Sequence, residues 1–187
     1  MVVRAFIALE IPKEVRTLIA EIQERLRSAE ASVKWVRPAN IHLTIKFLGD
    51  VETAKLQAIA GKLEKLAKKS RSISLATSTI GVFPNERRPR VIWLGLDGDT
   101  ESVTKLADVC NSEMLNLGFE KEKRNFKPHL TLGRVKLDKN LDELIDMISK
   151  GNLQIMNFNL ERMHLIKSDL TPKGAIYENL YSFNINN

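Results

Sequence analysis

The sequence lacks paired cysteines, long apolar runs and any linker rich in glycine or serine. A single cysteine, Cys110, cannot form an internal disulfide, which fits a reducing cytosol. No apolar segment approaches the roughly 20 residues that a transmembrane helix needs. The short apolar start, residues 3–9, alternates like a strand and is followed at once by a charged segment, unlike a secretory signal. We therefore expect a cytoplasmic protein that has no membrane partner.

Signatures of metal and nucleotide enzymes are also missing. There is no G-x-x-x-x-G-K-[ST] loop, so ATP-driven chemistry has no support. There is no His-Glu-x-x-His segment and no pair of cysteines, so a zinc hydrolase is not indicated. We expect neither a metal nor a cofactor.

Basic residues outnumber acidic ones, and the formal net charge is +6. A positive surface favours anionic partners, although solvated lysines explain any single position as well. The basic residues cluster, however, and the clusters adjoin predicted strands. Their members are Lys34, Arg37, Arg87, Arg88, Arg90, Lys121, Lys123, Arg124, Lys127, Arg134 and Lys136. The clustering makes RNA or nucleotides as partners as plausible as a solvated basic surface.

The hydrophobic pattern predicts a single α+β domain over residues 1–187. Period-two runs predict strands, and apolar residues at helical spacing predict helices. The strands are expected over residues 3–9, 33–36, 41–48, 73–83, 91–96, 129–135, 153–167 and 175–183, and the helices over residues 12–28, 52–69, 100–117 and 141–149. Neighbouring pairs of strands favour antiparallel sheets, and the repeated order of a strand followed by a helix suggests two related lobes that pack as one body.

Two of the three histidines occur in the same four-residue pattern. The tetrads are His42-Leu43-Thr44-Ile45 and His129-Leu130-Thr131-Leu132. In a strand, successive side chains point to opposite faces, so each tetrad presents an imidazole and a hydroxyl on one face, roughly 7 Å apart along the strand. Two such strands facing each other would frame a small site that is equipped for acid–base catalysis.

Together with their flanking segments, the tetrads make the chain resemble the two-histidine phosphoesterases, and within them the RNA 2',3'-cyclic phosphodiesterases, also called 2'-5' RNA ligases. The segments that carry the resemblance are residues 4–8, Trp35, 42–49, 83–84, 88–95, 126–134, 165–170, Gly174 and Tyr177. The resemblance implies a bilobal fold of two pseudo-symmetric lobes, with helices outside and a central cleft. It implies hydrolysis of RNA 2',3'-cyclic phosphate ends to 2'-phosphates, and in some members 2'-5' ligation.

The resemblance also assigns roles to the tetrads. His42 is expected as the general acid for the 3' oxygen and His129 as the general base on water, although the sequence alone leaves the reverse assignment open. Near neutral pH an imidazole can fill either role. Thr44 and Thr131 are expected to hydrogen-bond the non-bridging phosphate oxygens.

Three further residues are candidates for substrate binding. Arg134, five positions after His129, can bind phosphate in a bidentate fork, and a surface salt bridge is the alternative. Phe47 holds the same position after His42, but strand alternation makes core packing at least as plausible as base stacking. Tyr177 is a weaker stacking candidate. The two remaining positions singled out are Trp35, also a weak stacking candidate, and His164, which we expect to be a hydrogen-bonded structural histidine.

These residues leave two functions open. The first is a metal-independent phosphodiesterase that acts as a monomer on RNA or nucleotides with cyclic phosphate ends, tRNA fragments among them. The second is a non-catalytic module that only binds nucleotides or RNA. Paired histidines favour the enzyme, because binding alone does not require an acid and a base.

Overall fold

The structure is a computed structural model that describes residues 1–122, 125–172 and 174–185. Lys123 and Arg124 of the predicted basic loop lie outside these ranges. The described chain is an α+β fold, as predicted. Its strands are β1 (Val2–Leu9), β2 (Val33–Trp35), β3 (Leu43–Glu52), β4 (Ile73–Phe83), β5 (Val91–Gly98), β6 (His129–Val135), β7 (Asn157–Leu160), β8 (Arg162–Thr171) and β9 (Gly174–Asn184), and its helices are α1 (Lys13–Arg27), α2 (Leu56–Lys69), α3 (Thr100–Leu115) and α4 (Leu141–Lys150).

The strands form two sheets in which every described pairing is antiparallel. The four-stranded sheet has the order β3-β1-β8-β9, and the five-stranded sheet has the order β2-β6-β5-β4-β7. The two tetrads therefore belong to different sheets, which confirms the prediction of two antiparallel units.

Helices cover one face of each sheet and leave the other face free for the site. The side-chain amide of Gln23 in α1 donates to the backbone oxygens of Val36 and Leu132, at 2.7 and 2.9 Å, and so fixes α1 against the five-stranded sheet. The ammonium of Lys46 in β3 donates to the side-chain oxygen of Asn111 in α3 at 2.8 Å, which fixes α3 against the four-stranded sheet. One apolar core runs through both of these helix–sheet layers. Cys110 is fully buried in it, and burial raises the pKa of its thiol to about 12, as expected for a structural cysteine.

The segment 153–167, predicted as one strand, is two strands in different sheets. β7 pairs with β4 in the five-stranded sheet, and β8 pairs with β1 in the four-stranded sheet. The chain passes from one sheet to the other at Glu161, whose backbone oxygen accepts from the amide of Ile185 at 2.8 Å. The buried positions change phase at this crossing, from Phe158 and Leu160 to Met163 and Leu165, so the adjacent polar residues Glu161 and Arg162 are its only mark in the sequence.

β3 is longer than predicted and continues through Gly49 and Asp50 to Glu52. The first residues of β1 supply partners for this extension, since Val2 pairs with Glu52 and Ala5 with Gly49. Gly49 adopts a φ of +70°, a conformation that glycine enters without strain and that lets the strand continue past its predicted end at Leu48. The helix predicted from residue 52 therefore begins at Leu56, after a 3-10 turn over Thr53–Lys55.

Candidate active site

Both tetrads contain a β-bulge at the same place. In β3, Thr44 pairs with Ala8 and Lys46 with Ile7, so Ile45 is an extra residue without a partner. In β6, Thr131 pairs with Trp93 and Gly133 with Ile92, so Leu132 is the extra residue. Each extra residue is the third after the histidine, and each is buried in the core.

The bulges shift the alternation and bring a further side chain onto the face of each tetrad. Phe47 pairs with Phe6, and Phe6 lies on the same face of β1 as Ala8, the partner of Thr44. The core-packing alternative for Phe47 is therefore wrong, since its side chain is 64% exposed. A bulge re-aims a side chain in this way because it adds one residue to one strand only.

The same shift places Arg134 on the face that carries His129 and Thr131. Arg134 pairs with Val91, Thr131 with Trp93 and His129 with Gly95, and the three partners alternate along β5. Arg134 is exposed and forms no ion pair with an acidic side chain in the described part of the chain. Arg134 therefore does not form, with any described residue, the surface salt bridge that was the alternative to phosphate binding.

His42 is surrounded by aromatic rings of the four-stranded sheet. It immediately precedes β3, and its ring stacks on Phe6 with centroids 4.7 Å apart and planes inclined by 26°. The edge of Tyr177 meets His42 at 5.4 Å and Phe6 at 5.1 Å, and Phe47 lies 5.9 Å from Phe6. Of the predicted residues, the structure thus brings His42, Phe47 and Tyr177 into one cluster.

The surroundings of His42 disfavour its charged form. Burial lowers the pKa of His42 to about 4, and the electrostatic influence of His164 and Arg16 acts in the same direction. A hydrogen bond to the backbone of Asn40 opposes the shift and does not overcome it. His42 is therefore neutral at pH 7 when no substrate is bound.

His129 has a defined tautomer, and one of its ring nitrogens has no hydrogen-bond partner among the described residues. Its Nδ1 lies 2.7 Å from the backbone oxygen of Lys127, and since a carbonyl oxygen can only accept, Nδ1 carries the proton. Nε2 of a neutral His129 is then left with a lone pair. Both histidines are thus held by the backbone of the residue two positions earlier, Asn40 for His42 and Lys127 for His129.

A second aromatic group supports His129 on the five-stranded sheet. The edge of Phe83 meets the His129 ring at 5.2 Å, and Trp93 stacks on Phe83 at 5.0 Å. The Trp93 ring covers Gly81, where a side chain would collide with it. Sequence reasoning assigned no role to Phe6, Phe83 or Trp93, because strand alternation does not reveal which strands become neighbours.

The two strands that carry the tetrads approach each other, and the space beside their tetrad-bearing faces is called the cleft below. Cα atoms of β3 and β6 come within 8 Å of each other. Burial raises the pKa of Tyr177, while the positive charges of Arg134 and Arg4 act to lower it. Since Tyr177 belongs to the four-stranded sheet and Arg134 to the five-stranded sheet, this influence acts across the cleft.

The other two residues singled out by the sequence lie outside the pair of tetrads. Trp35 pairs with Gly133, on the helix-covered face, and the Arg27 guanidinium lies 5.4 Å above its ring. Stacking of a substrate base on Trp35 is therefore ruled out by its position. His164 is 5% exposed and hydrogen-bonds Ser182 and Glu10 at 2.8 and 3.1 Å, which confirms its structural role.

Across residues 1–122, 125–172 and 174–185, no three side chains of His, Cys, Asp or Glu are grouped as they would be around a metal ion. Over the same ranges, no helix is both long and apolar enough to cross a membrane.

Relatives of known name match the chain over nearly its full length. An RNA 2',3'-cyclic phosphodiesterase of Methanothermobacter thermautotrophicus is 37% identical over 186 residues, which is 99% of this chain and 100% of that protein. A protein of the same name from Thermotoga maritima is 36% identical over 180 residues, which is 95% of this chain and 93% of that protein.

Solved structures share the fold. The protein TT0787 of Thermus thermophilus superposes with a TM-score of 0.82 at 26% identity, covering 97% of each chain. LigT of E. coli, solved with 3'-AMP, superposes with a TM-score of 0.80 at 22% identity over 100% of each chain. The family model described as LigT like phosphoesterase matches twice, over residues 9–93 and 94–177. These findings confirm the resemblance inferred from the tetrads: the chain belongs to the LigT-like phosphoesterase family.

Proposed function

We propose that the protein hydrolyses RNA 2',3'-cyclic phosphate ends to 2'-phosphates by paired-histidine catalysis without a metal ion. The observation that carries the proposal is the presence of one His-x-Thr tetrad on each of two converging sheets, with the same bulge and the same backbone support for each histidine. Relatives named for this activity, at up to 37% identity, support the choice of substrate.

In the proposed reaction, water attacks the phosphorus while the bond to the 3' oxygen breaks. Nε2 of His129 takes a proton from the water, and His42 gives a proton to the leaving 3' oxygen. The products are a 2'-phosphate and a 3'-hydroxyl. Thr44 and Thr131 donate to the non-bridging oxygens, where negative charge accumulates, and Arg134 supplies a positive charge on the same face.

His42 must gain a proton before it can act as the acid. The substrate phosphodiester is an anion, and an anion beside an imidazole raises its pKa. Substrate binding therefore promotes protonation of His42, which is neutral in the free protein. The same machinery gives 2'-5' ligation when the 5'-hydroxyl of a second RNA replaces water as the nucleophile.

An RNA oligomer with a 2',3'-cyclic phosphate tests the proposal, with product mass and phosphorus NMR as readouts. We expect a gain of one water, a 2'-phosphate product, and unchanged turnover in excess chelator. His42→Ala and His129→Ala should each lower the rate by about 100-fold or more, the scale of general acid–base catalysis. Circular dichroism of both variants checks that they fold.

The non-catalytic alternative makes the opposite prediction in the same assay. A protein that only binds RNA would show no turnover, and the double variant His42→Ala/His129→Ala would bind the oligomer as well as the unaltered chain. Loss of activity in chelator that returns on adding a divalent cation would instead assign a metal-dependent reaction.

A further inference from the structure

Basic residues continue along the tetrad-bearing face of the five-stranded sheet beyond the tetrad itself. Lys34 in β2 lies directly opposite Arg134 in β6. The neighbours of Lys34, Val33 and Trp35, pack against the apolar core, and successive side chains of a strand point to opposite faces. The exposed side chain of Lys34 therefore lies on the face that carries Arg134 and His129.

Lys136 extends this set of cations by one position. Its amide donates to the backbone oxygen of Ser32 at 2.7 Å, so the pairing of β2 with β6 continues one residue past the end of β6. Lys136 is exposed and follows Arg134 by two positions, which places both side chains on the same face. We call Lys34, Arg134 and Lys136 the basic row.

No described acidic side chain neutralises the basic row. Within residues 1–122, 125–172 and 174–185, none of its three side chains forms an ion pair. Like charges that lie directly opposite each other on neighbouring strands destabilise a sheet, and Lys34 and Arg134 form such a pair. An anion bound between the two side chains would remove this repulsion. The arrangement therefore points to an anionic ligand.

The basic row begins beside the proposed reacting group and leads away from it. The partners of Thr131 and Arg134 in β5 are two positions apart, so these two residues lie about 7 Å apart along the sheet. Lys136 follows about 7 Å farther on. Lys34 lies beside Arg134 on the side away from β5, because β2 is the edge of the sheet. A ligand held by the whole row must therefore carry several negative charges at intervals.

An RNA strand has this distribution of charge. Its cyclic phosphate is the last of a series, and the next phosphate along the strand is attached to the 5' oxygen of the same terminal nucleotide. A free nucleoside cyclic phosphate carries one charge only, to which the proposed reaction already assigns the tetrads and Arg134. Rows of Lys and Arg side chains bind the backbone of a single strand through its repeated charges. The basic row therefore fits the backbone next to the reacting end.

We propose that the basic row binds the RNA backbone on the 5' side of the cyclic phosphate, and that Lys34 contacts the 5'-phosphate of the terminal nucleotide. This inference rests on the proposed function for the identity of the reacting group. It makes the end of an RNA strand a better substrate than a free nucleoside cyclic phosphate, because only the strand carries a phosphate for Lys34.

Two product analogues that differ by one phosphate test the proposal without turnover. Adenosine 2'-monophosphate carries only the phosphate that ring opening leaves, and adenosine 2',5'-bisphosphate adds the 5'-phosphate assigned to Lys34. Calorimetry gives the Kd of each analogue. The variants are Lys34→Gln, which removes the charge, and Lys34→Arg, which keeps it. The matched control is Lys65→Gln, since Lys65 is exposed on α2, which packs against β8 and β9 of the other sheet.

We expect the unaltered protein to bind the bisphosphate about tenfold more tightly than the monophosphate at low salt, the effect of one charged hydrogen bond. Lys34→Gln should remove most of this difference and change the Kd of the monophosphate by less than about twofold. Lys34→Arg should keep the difference, and Lys65→Gln should leave both Kd values in place. The difference should also shrink as the salt concentration rises, because salt screens exposed charges.

Three results would overturn the proposal. One is equal affinity of the unaltered protein for the two analogues. Another is an equal loss of affinity for both analogues in Lys34→Gln, which would mean that Lys34 acts through the fold. The third is the same effect from Lys65→Gln as from Lys34→Gln, which would mean that only the net charge matters. Absence of cyclic-phosphate hydrolysis would overturn the proposed function alone, since these binding constants are measured without it.

Discussion

At the scale of residues, the two histidines of the tetrads have unequal surroundings. His42 packs between Phe6 and Tyr177, and burial lowers its pKa to about 4. Among the described residues, His129 meets one aromatic ring, the edge of Phe83, and its Nε2 has no hydrogen-bond partner. The two tetrads look alike in the sequence. The difference in the surroundings of their histidines arises from β1 and β9, which lie far from His42 along the chain.

A substrate with sulfur in place of the bridging 3' oxygen identifies the general acid. A thiolate leaves without protonation, because thiols are far more acidic than alcohols. With His42 as the acid, His42→Ala should lose about 100-fold or more in kcat on the oxygen substrate and less than about tenfold on the sulfur substrate. His129→Ala should lose activity on both. The reverse pattern in single-turnover rates would make His129 the acid.

The low pKa of His42 also predicts how stability depends on pH. The ordinary pKa of histidine is 6.5 and that of folded His42 is about 4, so on acidification the unfolded chain takes up this proton first. The part of the free energy of unfolding that depends on a neutral His42 is fully present above pH 6.5 and is lost as the pH falls toward 4. It amounts to at most about 3 kcal/mol.

Urea unfolding of the unaltered chain and of His42→Gln between about pH 7 and 4 measures this contribution. Glu10 and the other carboxylates titrate in both proteins, so the difference between the two curves reports residue 42. We expect the free energy of unfolding to fall more steeply in the unaltered chain. Parallel curves would show that His42 titrates normally in the folded state.

At the scale of elements, the strands themselves were predictable and their irregularities were not. β4 and β6 have the bounds that period-two alternation predicts. The bulges at Ile45 and Leu132 add an apolar residue inside an apolar run, so the hydrophobic pattern of the sequence does not reveal them. For this reason strand alternation assigns Phe47 to the wrong face of β3, although the tetrads themselves are evident in the sequence.

The bulge in β3 makes Phe47 a surface residue of the cleft. Phe47→Ala should raise the KM for a cyclic-phosphate oligomer by about tenfold, since stacking on one base contributes about 1–3 kcal/mol. The free energy of unfolding should change little, because the side chain is 64% exposed. Leu137→Ala is the control, as Leu137 is 67% exposed and follows β6. A large loss of stability with an unchanged KM would show that Phe47 packs in the core and does not contact the substrate.

At the scale of the whole molecule, each sheet is assembled from distant parts of the chain. The four-stranded sheet joins β1 and β3 to β8 and β9, whereas β2, which lies between β1 and β3 in sequence, is an edge of the other sheet. The two matched segments, 9–93 and 94–177, therefore do not coincide with the two sheets. The two His-x-Thr strands are brought together only when the entire chain has folded.

This interleaving predicts a single cooperative unfolding transition, which the two tryptophans can report. Trp35 and Trp93 both lie in the five-stranded sheet, whereas the buried Leu165 lies in the four-stranded sheet opposite Ile7. Leu165→Ala should cost about 2–5 kcal/mol and lower the urea midpoint equally by tryptophan fluorescence and by far-UV circular dichroism. Leu170→Ala, on the same strand but 67% exposed, should leave both midpoints in place. If Leu165→Ala moved only the dichroism signal, the sheets would unfold independently, and the cleft could open without loss of the five-stranded sheet.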